Sequence, residues 1–125
     1  MFVFKKAQLL CANLKQAHES GGLSFGVTGV ERLTVFADNV LPCVLRALGV
    51  LVHSPELAAR IDAGKVLPVG EEEVELRLVA VEACERLAKL SGLSTRRLDL
   101  YLWELGKEAP YRELNRHYTQ NTVFY

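Results

Sequence analysis

Apolar residues recur at helical spacing along most of the chain. Leu9, Leu10, Leu14 and Ala17 fall on one side of the segment 5–18, and polar residues fill the other, which predicts a helix. Glu19-Ser20-Gly21-Gly22 stops it, and the glycine-rich stretch to Gly29 reads as a loop. Inside that loop Leu23, Phe25 and Val27 alternate with small or polar residues, a pattern that permits a short extended piece. The segment 31–36 fits a helical turn or a strand equally well.

A second helix opens at Asp38-Asn39, either of which can cap it, and runs to about Val52. Pro42 is tolerated because it falls in the first turn. Val40, Val44, Leu45, Leu48 and Leu51 form its apolar face. Ser54-Pro55-Glu56 predicts a third helix to about Ala63, with Ser54 as cap and Pro55 at the first helical position, closed by Gly64. The longest helix spans 71–90 and carries acidic residues in its first turn, where the helix dipole favours them. Leu76, Ala80, Ala83, Leu87 and Leu90 make one apolar stripe, and Val74, Leu78, Val81 and Cys84 or Ala88 a second, which predicts a central helix packed on several sides. Arg77 lies within it and needs a partner if buried; Glu73, four residues earlier, is the local choice. Ser94 or Thr95 caps a last helix to Leu105, with Leu98, Tyr101, Leu102 and Leu105 inward and Gly106 as its stop. The polar tail ends in Thr122-Val123-Phe124-Tyr125, which suits docking as an extended segment. Four or five helices without convincing strand alternation predict a single all-α domain over 1–125.

Composition narrows the function classes. The 125 residues carry 15 basic and 15 acidic side chains, 50% of them are apolar, and the net charge is zero. That balance describes a globular domain and argues against general nucleic-acid binding. No stretch is long and apolar enough to span a bilayer, and the expectation is a soluble cytoplasmic or nuclear protein. Cys11, Cys43 and Cys84 are far apart, with no metal or redox spacing, and suit small core residues. His18, His53 and His117 are isolated, and no phosphate-cradling loop or nucleophile elbow is present. No metal or organic cofactor is called for.

Acids beside aromatics remain as candidate chemistry. Asp38 follows Phe36 where a loop enters a helix; it serves either as a cap or as a fixed anion aimed at a cationic or donor ligand, with Phe36 for stacking. Asp99 and Trp103 share a helix face opposite Leu98, Leu102 and Leu105, while Glu104 lies about 140° round from Asp99. A solvated acidic face accounts for the same pattern.

The run Leu33-Thr34-Val35-Phe36-Ala37-Asp38-Asn39-Val40-Leu41-Pro42 resembles the queuosine salvage protein family. So do Phe4-Lys5-Lys6-Ala7-Gln8-Leu9-Leu10, Ser54-Pro55-Glu56-Leu57, Glu72-Glu73-Val74-Glu75-Leu76-Arg77 and the segment from Leu98 to Glu108, in matching order and over nearly the whole chain. Each motif alone is weak; in order they are fairly specific. The resemblance implies an all-helical fold akin to helix-hairpin-helix DNA glycosylases. It implies hydrolysis of queuosine 5′-monophosphate at the N-glycosidic bond, which releases queuine for reuse in tRNA modification.

It also implies substrate contacts from Phe36 and Asp38, and from a late-helix motif of Asp99 and Glu104 with Leu100 beside the first. Glu104 and Asp38 are then the catalytic carboxylates, with Phe36, Asp38, Asp99 and Leu100 on the substrate. Glu104 stands at the sugar and Asp38 and Asp99 on the base, though these roles can be exchanged. A held carboxylate can stabilise the positive charge that develops on the sugar, attack it, or activate water.

The departures are equally specific. The family is more than twice this length, and its N-terminal half, with a substrate-contacting histidine, has no counterpart here. Its second late acid is commonly Asp where this chain has Glu104. Arg116 and His117 stand out of register with a tail suited to a phosphate. The alternative reading is a non-catalytic half-enzyme or paralogue that binds a base-like ligand. Either reading predicts exposed apolar surface, covered by a partner chain or by self-association.

Overall fold

The computed structural model describes residues 4–24 and 26–122. Phe25 and the terminal Val123-Phe124-Tyr125, assigned above to an extended piece and a docked tail, lie outside the described residues. Among those described, the chain forms five α-helices: α1 (Lys5–Glu19), α2 (Val40–Ala47), α3 (Pro55–Asp62), α4 (Glu71–Ser91) and α5 (Thr95–Leu105). Two 3-10 turns, Val30–Arg32 and Tyr111–Glu113, complete them, and there is no strand beyond an isolated bridge between Val66 and Tyr118. The all-α expectation holds. The ambiguous segment at 31–36 resolves as the first 3-10 turn followed by irregular chain.

Local chemistry sets most helix ends. Ser54 Oγ accepts from Leu57 N–H and Ser94 Oγ from Arg97 N–H. The second helix ends earlier than its apolar run. Gly49 adopts φ +74, and the N–H groups of Gly49 and Val50 turn back to Arg46 and Leu45 carbonyls. This left-handed glycine closure terminates α2 at Ala47 although apolar residues continue to Val52. Leu48, expected inside, is therefore exposed.

The main core lies where α2, α4 and α5 meet. Val40, Leu41, Val44, Leu45, Ala80, Cys84, Leu98 and Leu102 are buried together. A smaller cluster of Ile61, Leu67 and Leu76 joins α3 to α4. On α4 the buried line combines parts of both expected stripes. It runs through Glu73, Leu76, Arg77, Ala80, Cys84 and Ala88, while Leu90 is 85% exposed. Small residues at 80, 84 and 88 let the neighbouring helices approach. Tyr101, expected inward, faces solvent, as does Leu10 on α1, where Ala12 is the buried residue.

Arg77 is fully buried because Glu73 meets it in a two-pronged ion pair, Nε to Oε1 at 2.7 Å and Nη2 to Oε2 at 2.9 Å. His117 Nε2 stands 3.7 Å from the same Oε1, and burial pushes this imidazole below its ordinary pKa. Removing one member of such a pair strands a buried charge and costs about 3–5 kcal/mol. The cluster seats the C-terminal segment, whose His117 carbonyl accepts from Asn39 Nδ2 at 3.2 Å.

Gly106 does more than end α5. Its backbone is right-handed, φ −65, so its value lies in size rather than in turning the chain. A Cβ there would stand 2.5 Å from Val40 Cγ1 and 3.2 Å from Val44 Cγ2. The missing side chain lets the end of α5 lie on the start of α2. Gly106→Ala is expected to destabilise the protein by about 1–3 kcal/mol through overpacking. Chemical denaturation checks this, and an unchanged midpoint would show that the two helices separate without cost.

Candidate functional site

The crossing of α2 and α5 brings two chain-distant carboxylates together. Asp38 sits just before α2 and Asp99 in the second turn of α5. Asp38 Oδ1 accepts the Val40 N–H at 2.8 Å, so Asp38, rather than the N-cap Asn39, satisfies a first-turn donor. Asn39 turns its side chain to the His117 carbonyl instead. Asp38 Oδ2 pairs with Lys5 Nζ at 2.9 Å. Asp99 Oδ1 accepts the Phe36 N–H at 2.7 Å. Both aspartates are buried.

Helix α1 lies over this junction. Gln8 Oε1 accepts from the Thr34 N–H at 3.1 Å and from its hydroxyl at 3.2 Å, which ties α1 to the segment carrying Phe36. Between α1, that segment and α5 is a cavity of about 440 Å³. Phe36, Asp38, Asp99 and Leu100 all line it, with Lys5, Asn13, Gln16, Arg96 and Trp103 among the other walls. The combination of apolar walls and a few convergent polar groups is that of a small-molecule site.

Asp99 is not the solvated acid that its surface pattern allowed. It is 9% exposed, buried with Leu98 and Leu102 rather than opposite them, while Trp103 stays half-open at the rim. Burial raises its pKa; the Phe36 N–H opposes this, the Asp38 charge adds to it, and Lys5 opposes it. On the far side of Asp99, burial with the Asp99 charge second pushes the Cys84 thiol up to about 12, so it stays protonated. Cys84 and Cys43 are buried core residues, as their apolar neighbours suggested, whereas Cys11 is only half-buried.

Glu104 is the sequence-singled acid that the cavity does not receive. It is exposed and not among the lining residues. The angle of about 140° that separates it from Asp99 round a helix has that consequence: when one faces the cavity the other cannot. Among the described residues, no group of three His, Cys, Asp or Glu side chains could hold a metal. No helix there is long and apolar enough to cross a membrane.

Lys5, Gln8 and Arg96 were not foreseen as site residues. A signal for the first two existed, since Lys5 and Gln8 stand three apart in the Lys-Lys-Ala-Gln segment and so share a helix face. Apolar periodicity says nothing about which of two adjacent lysines turns inward.

Asp99→Asn tests the electrostatics. An acid whose folded pKa is raised favours folding below its unfolded value, and that contribution is lost as pH rises through the folded value. Wild-type stability should therefore fall relative to Asp99→Asn as pH rises from 3.8 through the raised pKa of Asp99. Thermal melts of both proteins across that range measure the difference, and parallel curves would mean the carboxyl is not desolvated.

Comparison with known proteins places the chain among longer relatives. A family model described as "Queuosine salvage protein" matches residues 1–125. A protein of Dictyostelium discoideum named queuosine 5′-phosphate N-glycosylase/hydrolase is 34% identical over 131 residues, covering 100% of this chain and 40% of that relative. One of the same name from Sphaerobacter thermophilus is 34% identical over 128 residues, covering 98% of this chain and 39% of the relative. A third, from Bos taurus, is 31% identical over 119 residues, covering 84% and 35%. The chain thus spans at most 40% of the length of these relatives.

Proposed function

The chain belongs to the queuosine salvage protein family, and we propose that its cavity holds the base of queuosine 5′-monophosphate for hydrolysis of the N-glycosidic bond. The released queuine would then be available for salvage into tRNA modification. The observation that carries this reading is the convergence of Asp38 and Asp99, 61 positions apart in sequence, beside Phe36 in one cavity.

Phe36 offers a face for stacking a flat heterocycle. Asp38 grips the cationic amine of the base, which takes over the place of the Lys5 ammonium. Asp99 serves the bond itself in this reading. Its raised pKa lets it carry a proton, and the Phe36 N–H on Oδ1 leaves Oδ2 to hold it. As the bond from the ribose anomeric carbon to the base nitrogen breaks, its electron pair goes to the base, which takes the Asp99 proton. The resulting carboxylate stabilises the positive sugar. Water adds to the anomeric carbon and returns a proton to Asp99, leaving ribose 5-phosphate and free base. This assignment gives the bond-breaking part to Asp99 instead of Glu104, because Glu104 does not line the cavity. No step calls on a metal or an organic cofactor.

The relatives' remaining length bears on how the site closes. Leu9, Leu100 and Trp103 line the cavity and stay open to solvent. We assign their cover to a partner segment equivalent to the rest of those relatives, or to a second copy of this chain. Sedimentation of the purified chain should show self-association that Leu100→Lys weakens. A monodisperse wild-type monomer at all concentrations would leave self-association without support.

The direct test is chromatographic detection of queuine released from queuosine 5′-monophosphate, with calorimetric binding of queuine alongside. Asp38→Asn should lose binding by about tenfold or more, the scale of one charge-assisted hydrogen bond. Asp99→Asn should bind yet not turn over. Glu104→Gln should keep base binding, since its carboxyl stands outside. Full binding and turnover by Asp38→Asn would sink the site assignment.

A further inference from the structure

We propose that Arg96 reads the 5′-phosphate of the ligand and so sets the preference for nucleotide over nucleoside. This deepens the base-binding reading and rests on it for the orientation of the ligand. Phe36 and Arg96 are shared walls. They line the cavity of about 440 Å³ that holds Asp38 and Asp99, and also an adjoining hollow of about 190 Å³ between Lys15, Thr34 and Thr95. A ligand stacked on Phe36 therefore has room to continue past Arg96.

The charges of the cavity are unevenly satisfied. Lys5, the other lining cation, is held by Asp38 at 2.9 Å. The Arg96 guanidinium donates to a neutral group, Gln16 Oε1, over a long 3.4 Å. Glu19, which senses its charge, already pairs with Lys15 at 2.9 Å, and Glu31 lines the smaller hollow. The cavity thus presents two carboxylates and, one helical turn from Asp99, an arginine that hydrogen-bonds to a neutral group. Arg96 and Asp99 are three residues apart on α5, on one face and about 4.5 Å apart along the axis. This polarity matches a ligand with a cationic amine on its base and an anion on its sugar.

The two neighbouring basic side chains of the C-terminal segment are committed elsewhere. His117 is buried against Glu73 and Arg77, and Arg116 donates to the Gly106 carbonyl at 2.8 Å. Neither lines the cavity. A guanidinium is also suited to the task, since its planar fork can engage two phosphate oxygens at once.

The test compares queuosine 5′-monophosphate, queuosine, queuine and ribose 5-phosphate on the full chain by calorimetry, with the Arg96 side-chain N–H followed by NMR. Wild type should prefer the monophosphate over the nucleoside by about tenfold or more, and Arg96→Gln should erase that ratio. Ribose 5-phosphate should shift the Arg96 signal saturably, and Arg96→Lys should restore part of the preference. A ratio that survives Arg96→Gln overturns the assignment. Queuine binding without any phosphate preference in wild type would overturn Arg96 alone and leave the base reading standing. Ribose 5-phosphate binding through Arg96 without queuine binding would do the reverse.

Discussion

The hydrogen bond from the Phe36 N–H to Asp99 Oδ1 joins the segment before α2 to the second turn of α5. The candidate site depends on it. It orients the Phe36 backbone beside Asp99, gives a buried carboxyl its donor, and forms the floor over which α1 closes. Buried polar groups persist only when their hydrogen bonds are made. The short 2.7 Å contact is therefore a constraint as much as a support: neither partner can shift without stranding the other. The Gly106 approach to Val40 and Val44 brings the two elements close enough for the bond to form.

Around that floor the protein keeps three acids buried and satisfies each differently. Asp38 has a lysine and a helix N–H, Asp99 one backbone N–H, and Glu73 the fork of Arg77. The doubly bonded Glu73–Arg77 unit is structural and seats the C-terminal segment at His117, which Asn39 also holds. Asp99 has one backbone N–H, and burial, with the nearby charge of Asp38, raises its pKa. The three acids thus differ in how far their charge is compensated, although all three look alike as letters in the chain.

Helix α1 shows how the site is roofed with little core of its own. Only Ala12 of its described residues is buried, and polar clasps from Lys5 and Gln8 hold it to the site. A helix seated by such contacts opens more easily than one seated by apolar packing. That suits a helix lying over a cavity.

Local sequence determined the elements. Ser54 and Ser94 capped their helices, glycines closed others, and the spacing of Glu73 and Arg77 foretold their pairing, because each depends on neighbours within a few residues. The family motifs also marked Phe36, Asp38, Asp99 and Leu100, which share one cavity. Tertiary structure alone decided the rest. Which lysine turned in, which members of α4's two stripes faced the core, whether Tyr101 was covered, and on which side Glu104 fell all turn on how helices rotate against one another. Hydrophobic periodicity fixes a face only to within about a residue's arc of 100°. Packing at small residues such as Ala80 and Gly106 chose the rotation, and with it which acid entered the cavity.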